Sequence, residues 1–255
     1  MSSPRLISRP RPVHVLAAAA AAVAVALGPA TLPASAAAPG AGPSTQDLPT
    51  SDQLQSALLT AADLGPGYTA TPVTQSPSPG ENPSPVTGCA ALSALINMHA
   101  TQTGRQVPQA AVALDGPNDN PMVTQALAAE APDRLTADYN TAADALKTCH
   151  SITFNGGNGD QVTFTVTPIT LGDRKDAPAV HLDGTLAGVQ LNGYVGIERF
   201  GNTAMAFGYF ERQGTSAQTA AMQYRTAVAK VERTLGAKAG STTAATPATP
   251  TGQHV

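Results

Sequence analysis

A cysteine stands directly before a histidine in the stretch TCHSITF, residues 148–154. A cysteine thiolate activated by an imidazole is the nucleophile of several enzyme classes, so Cys149 and His150 are the first candidates for chemistry. Such a pair needs both side chains within hydrogen-bond reach of each other. Neighbours on a strand point to opposite faces, and neighbours on a helix diverge by about 100°. The adjacency therefore argues against a catalytic pair, and His150 is predicted to be a surface residue or the start of a strand.

The chain contains only two cysteines, Cys89 and Cys149. In an oxidising compartment an even number of cysteines favours a disulfide bond. The alternatives are a reactive thiol, a buried free thiol or a metal site, although two cysteines with scattered histidines lack the usual ligand spacing. A single disulfide between Cys89 and Cys149 is therefore predicted.

The N-terminal 36 residues have the three parts of a secretory signal peptide. Arginines within residues 5–11 form a basic region, an uncharged Ala-rich run covers residues 15–28, and Ala34-Ser35-Ala36 is an A-x-A cleavage signal. The run is about half the length that spans a bilayer, which disfavours the alternative of a membrane anchor. We expect a secreted protein, extracellular or in the cell wall, with no membrane span after cleavage.

The charge of the chain argues against two classes of partner. Removal of residues 1–36 takes three of the fourteen Lys and Arg residues and none of the seventeen acids, so the formal charge of the remainder is about −6. No run of basic residues is present to neutralise phosphates or an anionic membrane surface. We therefore expect no nucleic-acid or membrane partner, and we expect a monomer.

Composition divides the rest of the chain into three parts. Residues 37–49 and 237–255 are small, polar and Pro-rich. Such segments bury too little apolar surface to offset the entropy lost on ordering, so a disordered linker and a disordered tail are predicted. Residues 50–236 remain as one domain of ordinary size.

The first half of this domain has mainly helical periodicity. Thr50 and Gln53 fit a capping box at the start of a helix that ends at Gly65. A second helix follows a Pro-rich loop and contains Cys89 in its first turn. Two strands are then predicted around the turn cluster at residues 115–121.

A third helix is predicted from Pro132 to Cys149, and after it the period changes to two. Residues 162–167 alternate between apolar side chains and threonines, which predicts a half-buried strand paired with residues 151–154. A hairpin with a Gly-first turn of type II′ is predicted at Gly201-Asn202.

The last helix is predicted to begin with a capping box of Thr215 and Gln218 and to stop at Gly236. Helices, then a meander of strands, then a helix indicate an α+β fold, with an antiparallel meander sheet and helices packed against it.

Catalytic and cofactor motifs are missing from the sequence. It has no P-loop, G-x-S-x-G, H-E-x-x-H or C-x-x-C. We therefore expect no catalytic residue, no cofactor and no metal, and the chain is predicted not to be an enzyme. A hydrolase is the alternative if a Ser or Cys meets His99, His150 or His181 in a pocket.

Three polar stretches are weaker candidates for ligand binding. Asp115, Asn118 and Asp119 offer oxygen atoms to Ca²⁺, but without the order or the closing Glu of an EF-hand, so a plain turn is favoured. His181 could line a ligand groove, although a solvated strand face is favoured. The mixed-charge loop at residues 173–176 is expected to be solvated.

Five short segments of the chain, taken in their order along it, are similar to segments of a known family. They are LLTAADLGPGYT, GCAALSAL, ALKTC, VTFTVTPITLGD and RFGNTAMAFGYF. Their arrangement over residues 50–236 resembles the PknH-like extracellular sensor domain, which occurs on actinobacterial Ser/Thr kinases and on secreted or lipid-anchored stand-alone proteins. The resemblance implies an antiparallel sheet with helices around a cleft that binds an extracellular ligand of unknown identity.

The resemblance also bears on the long hairpin before RFGN. Local chemistry favours a turn at Asn192-Gly193, whereas in similar chains the hairpin turns at the position of Ala187-Gly188. We adopt the second turn, which leaves Asn192-Gly193 inside a strand, where a bulge is expected.

This chain departs from the family in two respects. Kinase-attached members have more than one disulfide, and here only Cys89 and Cys149 can pair. The sequence has no kinase domain, so a signalling role would need a partner. The expected function is that of a secreted stand-alone, non-catalytic, sensor-like domain that binds a small ligand or cell-envelope component in a cleft. The alternatives are a structural or tethering protein of the cell wall, or a secreted hydrolase.

Overall fold

The computed structural model describes residues 48–71, 86–91, 93, 107–155, 161–214 and 216–243. Within these ranges nine strands form one antiparallel sheet. The strands are β1 Thr69–Thr71, β2 Val86–Thr87, β3 Gln109–Asp115, β4 Met122–Ala129, β5 Ser151–Asn155, β6 Gln161–Ile169, β7 Ala179–Leu186, β8 Val189–Phe200 and β9 Thr203–Arg212. The helices are α1 Ser51–Ala57, α2 Ala61–Leu64, α3 Pro132–Thr148 and α4 Ala217–Leu235, with a short 3₁₀ turn at Pro117–Asp119.

The strands lie in the order β1-β3-β4-β9-β8-β7-β6-β5-β2. From β5 to β9 the chain is a meander, in which each strand pairs with the next. The β3–β4 hairpin extends the sheet beyond β9, and the two short strands β1 and β2 lie at the edges. The predicted α+β class with an antiparallel meander sheet is confirmed.

The sheet has a hydrophobic core on each face. On one face α3 packs on a cluster that includes Leu146 and Phe164. On the other face α1 and α4 pack on a second cluster, which includes Leu54, Phe207 and Tyr224. Because side chains along a strand alternate between the faces, strands β4, β8 and β9 are buried on both sides.

Strand β6 keeps the alternation that its sequence predicts. Val162, Phe164 and Val166 are buried, while Thr163 and Thr165 are exposed. The helices of the second face therefore cover the central strands and leave the threonine side of β6 to solvent.

The Cys89–Cys149 disulfide is formed, with 5.6 Å between the Cα atoms and a separation of 60 residues. Cys149 caps the C-terminal end of α3, as expected. Most of the second predicted helix, which follows Cys89, lies outside the described residues.

Both predicted hairpin turns are confirmed. Ala187 and Gly188 connect β7 to β8 with φ angles of 51° and 81°. A two-residue turn with positive φ at both positions is favoured in β-hairpins, because its twist matches the right-handed twist of the two strands. Gly201, with φ of 60°, begins the two-residue turn between Phe200 and Thr203.

The prediction of a β-bulge at Asn192-Gly193 is wrong. The register of β8 continues through both residues against β7 and against β9 without a skipped position. A Cβ on Gly193 would lie 2.9 Å from the Phe210 ring, so the glycine makes room for an aromatic side chain of the core. This Asn-Gly pair serves packing within a strand.

The first predicted helix is two helices, α1 and α2, and the expectation of one continuous helix is wrong. The Thr50–Gln53 capping box is present, but the chain becomes extended at Leu58. Leu58 and Leu59 are both buried, and the Leu59 N–H donates to the buried Gln125 Oε1 at 2.6 Å. Adjacent helical residues point about 100° apart, so extended backbone allows both leucines to be buried.

Helix α4 ends as predicted at Gly236, whose φ is 71° and whose N–H donates to the Glu232 carbonyl at 2.9 Å. At its start the predicted capping residue Thr215 lies outside the described residues, and the N-cap is Ser216, which makes no side-chain capping bond.

The chain continues in contact with the domain beyond the boundary expected at Gly236. Ala237 is buried, and Ser241 forms a parallel bridge with Phe200. Residues 237–241, called the strap below, are therefore part of the domain rather than of a tail. The signal peptide, most of the linker and the tail after residue 243 lie outside the described residues and stay predictions. None of the described helices is long and apolar enough to span a membrane.

Candidate functional site

Cys149 and His150, the first candidates for chemistry, do not form a catalytic pair. Cys149 is buried and bonded to Cys89. His150 is exposed, and its backbone carbonyl accepts a 2.9 Å hydrogen bond from the Val166 N–H. The thiol is thus in a disulfide on the α3 side of the sheet, and the imidazole faces solvent.

The candidate calcium site at Asp115, Asn118 and Asp119 is a turn that the Arg212 guanidinium holds in place. Asp115 accepts a hydrogen bond from the Thr71 hydroxyl at 2.5 Å. The carbonyls of Asn118 and Asp119 accept from Arg212 Nη2 at 3.3 and 3.1 Å. A guanidinium at two of the oxygen atoms disfavours a second cation, and no cluster of metal-binding side chains occurs in the described parts of the chain.

His181 lies on the face of the sheet that α4 covers. Its ring stacks on Tyr194 with 4.8 Å between centroids, and its Nε2 is 3.1 Å from Asn192 Oδ1. Within the described residues, these contacts of His181 are with an aromatic ring and an amide rather than with a Ser or Cys, and His99 lies outside those residues. His181 is half-buried rather than fully solvated.

Beside His181, buried side chains of β8 and β9 bind the loop before α4. Asn192 Nδ2 donates to the Gly214 carbonyl, and Glu211 Oε1 accepts from the Ser216 N–H. The Tyr209 hydroxyl donates to Glu211 Oε2 at 3.2 Å. We call His181, Asn192, Tyr209 and Glu211 the N-terminal polar cluster.

The N-terminal polar cluster replaces the missing cap of α4. The Glu211 carboxylate accepts one of the backbone N–H groups that a helix start leaves unpaired, and its negative charge suits that end of the helix dipole. Burial raises the pKa of Tyr209, and the Glu211 charge adds to this, so the phenol stays protonated as a donor. The N-terminal polar cluster therefore holds the start of α4 in position on the sheet.

A cavity of about 350 Å³ lies near the other end of α4. Its walls come from the β6–β7 loop, one residue of β8, the middle and later turns of α4, and the strap. The lining residues are Gly172, Asp173, Arg174, Glu198, Tyr224, Arg225, Val228, Ala229, Glu232, Lys238 and Ala239. We call it the strap pocket.

Glu198 is the most deeply buried charge of the strap pocket, with a side chain only 2% exposed. Its Oε1 accepts from the Arg199 N–H at 3.0 Å and lies 3.2 Å from Arg174 Nη1. Burial raises the pKa of Glu198, although the Arg199 N–H, the Arg174 charge and the Gly240 backbone act against this. The strap pocket therefore contains a poorly solvated carboxylate.

Arg174 has two acidic partners of unequal quality. It binds Asp176 with two parallel hydrogen bonds, Nε to Oδ1 at 3.2 Å and Nη2 to Oδ2 at 2.5 Å. Its contact with Glu198 is a single bond of 3.2 Å. The paired arrangement is the stronger one in geometry, so Asp176 can hold the guanidinium even when Glu198 has another partner.

The remaining charges of the strap pocket are more exposed. Arg225 pairs with Asp173 at 2.6 Å, and Lys238 lies 3.6 Å from Glu232. The Lys238 side chain is 83% exposed, so its contact is weak and its ammonium is available at the mouth. Tyr224, Val228, Ala229 and Ala239 contribute apolar surface to the same lining.

The strap closes one side of this pocket. The Gly240 N–H donates to the Arg199 carbonyl at 2.7 Å, and the Gly201 N–H donates to the Ser241 carbonyl at 2.9 Å. The Ala239 N–H donates to Glu232 Oε1 at 2.9 Å. Gly240 has a φ of 77°, and the Arg174 guanidinium lies directly over it, where a side chain would be.

Only part of this pocket follows from the sequence. The mixed-charge loop at residues 173–176 is predicted to be solvated, whereas Arg174 points to a buried carboxylate. No motif in the sequence points to Glu198, Arg225, Glu232 or Lys238. One signal was available for Glu198, since an acidic residue inside the largely apolar run YVGIERF of a predicted strand needs a partner if that strand is buried.

No protein-family model and no curated protein matches the chain. Among solved structures, it matches the crystal structure of the extracellular domain of PknH from Mycobacterium tuberculosis, with 19% sequence identity and a TM-score of 0.47. The match covers 74% of this chain and 97% of that chain. Membership in the PknH-like family therefore stays a prediction.

Proposed function

We propose that this protein is a secreted, sensor-like binding domain that holds a small extracellular or cell-envelope ligand in the strap pocket and catalyses no reaction on it. The observation behind the proposal is the strap pocket itself, because it combines a cavity, apolar walls and a buried carboxylate at one place. A cavity of about 300 Å³ or more with a few convergent polar groups is the usual form of a small-molecule site.

The expected compartment supports the same proposal. The predicted signal peptide would export the domain, and the Cys89–Cys149 disulfide suits an oxidising environment. In this proposal the strap pocket is the cleft expected from the family resemblance. The disulfide lies on the opposite face of the sheet and does not line the strap pocket.

The proposal is tested by thermal-shift screening of the mature protein against cell-envelope fractions and small-molecule collections. Ala229→Phe fills part of the strap pocket, and Ala217→Phe adds the same side chain at the exposed start of α4 as a matched control. A true ligand raises the melting temperature of the wild type and of Ala217→Phe, but not of Ala229→Phe. Stabilisation of all three proteins alike, or of none by any fraction, contradicts the proposal.

A further inference from the structure

The charges of the strap pocket sum to zero. Its lining contains the acids Asp173, Glu198 and Glu232 and the bases Arg174, Arg225 and Lys238. A ligand with a large net charge would leave one sign in excess near a partly buried site, at an electrostatic cost. A ligand with no net charge is therefore favoured.

The two kinds of charge differ in depth. Glu198 is 2% exposed, and Lys238 is 83% exposed. A molecule that enters from the mouth thus meets a carboxylate inside the pocket and an ammonium outside it. Its own charges would match if it places a cation inward and an anion outward.

The inner carboxylate can change partners. A buried carboxylate needs a cation or several donors close to it. Arg174 supplies one 3.2 Å bond to Glu198 and keeps its paired bonds to Asp176. A ligand ammonium can therefore take over the Glu198 contact while Asp176 retains the guanidinium.

The size of the cavity limits the body of the ligand. At about 350 Å³ it is at the lower end of the range for small-molecule sites. Tyr224, Val228 and Ala239 give it apolar walls, which suit a short aliphatic stem. These features fit a single amino acid or a very short peptide better than a polymer.

We propose that the strap pocket binds a compact zwitterion of the amino-acid or dipeptide class, with its ammonium group at Glu198 and its carboxylate at Lys238. This inference rests on the proposed function and names the chemical class of its ligand. The strap supplies Lys238, so binding and docking of the strap stabilise each other.

Isothermal titration calorimetry on the mature protein tests the class. The probes are a panel of free amino acids and dipeptides, together with their N-acetylated and amidated forms, which each retain a single charge. We expect zwitterions to bind, and we expect either blocked form to bind about tenfold more weakly or worse. Equal binding of a zwitterion and its N-acetylated form would overturn the inference.

Two glutamate variants assign the contact. Glu198→Gln keeps the shape and removes the inner charge, and we expect an affinity loss of about tenfold or more. Glu211→Gln makes the same change to a buried glutamate of β9 outside the pocket, and its affinity should equal that of the wild type. The melting temperature of each variant shows that it is folded. An unchanged affinity of folded Glu198→Gln would overturn the inference.

The same measurements separate this inference from the proposed function. If no zwitterion binds but another ligand stabilises the wild type and not Ala229→Phe, the class is wrong and the binding function stands. If no ligand of any class stabilises the wild type, both are wrong.

Discussion

Helix α4 meets a buried glutamate of the sheet near each of its ends, Glu211 close to its first residue and Glu198 close to its last turns. Glu211 accepts hydrogen bonds from the Ser216 N–H and the Tyr209 hydroxyl. Ser216 is the N-cap of α4, and Tyr209 lies on strand β9. Glu198 shares Arg174 with the exposed Asp176 and borders a cavity.

The two glutamates show what separates a structural polar group from a proposed ligand contact in this fold. Burial alone does not separate them, because both glutamates are largely inaccessible to water. What separates them is whether the partner can be replaced. A backbone N–H at a helix start has no other acceptor to turn to, whereas an arginine with a second carboxylate can release the first.

Removal of the disulfide is expected to have the largest effect on stability and no effect on either end of α4. Replacing Cys89 and Cys149 with Ala frees a 60-residue loop in the unfolded chain, which should lower the free energy of unfolding by about 4 kcal/mol. Urea denaturation measures the loss, and calorimetry on the remaining folded protein should find an unchanged ligand affinity. A loss below about 1 kcal/mol would show that the bridge contributes little.

Glu211→Ala should give the next largest effect and act on stability alone. It leaves the Ser216 N–H and the Tyr209 hydroxyl without their acceptor, so we expect a loss of about 2 kcal/mol in the free energy of unfolding. Ligand affinity at the strap pocket should not change. A weakened affinity in a folded variant would mean that the two ends of α4 are coupled.

Gly240→Ala should affect both stability and binding. Alanine is strained at a φ of 77°, and its Cβ would collide with the Arg174 guanidinium. We expect a stability loss of about 1.5 kcal/mol, together with weaker ligand binding because the strap shifts. Lys175→Ala, in the same loop as Arg174, is the control and should change neither. Full affinity in the glycine variant would exclude the strap from the site.

The pH dependence of stability should distinguish Glu198 from an ordinary carboxylate. Burial raises its pKa above the ordinary 4.5, although Arg174 opposes the shift. Such a group contributes stability below the unfolded-state pKa and loses it as the pH rises through the folded-state pKa. The stability of the wild type minus that of Glu198→Gln should therefore fall as the pH rises from below 4.5, as measured by urea denaturation. A difference that grows with pH would mean that the pKa of Glu198 is lowered instead.

His150→Ala should have the smallest effect. The imidazole is exposed and lies on neither end of α4, so the free energy of unfolding should change by about 0.5 kcal/mol or less. Ligand affinity should stay as it is. A larger loss of either would give His150 a role that its position does not indicate.

Several features of the fold followed from the sequence because they depend on near neighbours. The alternation in β6, the Gly201 turn and the glycine stop of α4 are set by side-chain period and backbone freedom. The disulfide followed from the count of two cysteines, since no other pairing within the chain exists.

The break between α1 and α2 and the strap pocket were decided by tertiary structure. Leu59 leaves the helix because a buried amide, 66 residues away at Gln125, accepts its N–H. The pocket joins Arg174, Glu198 and Lys238 from a loop, a strand and the strap. Whether a charged side chain is solvated depends on which segments pack over it. In this pocket those segments are far apart in the sequence, so a local pattern does not reveal that they meet. The residue pattern therefore predicted the α+β class, the alternation of β6 and the disulfide, whereas packing between distant segments set the break after α1 and brought the strap pocket together.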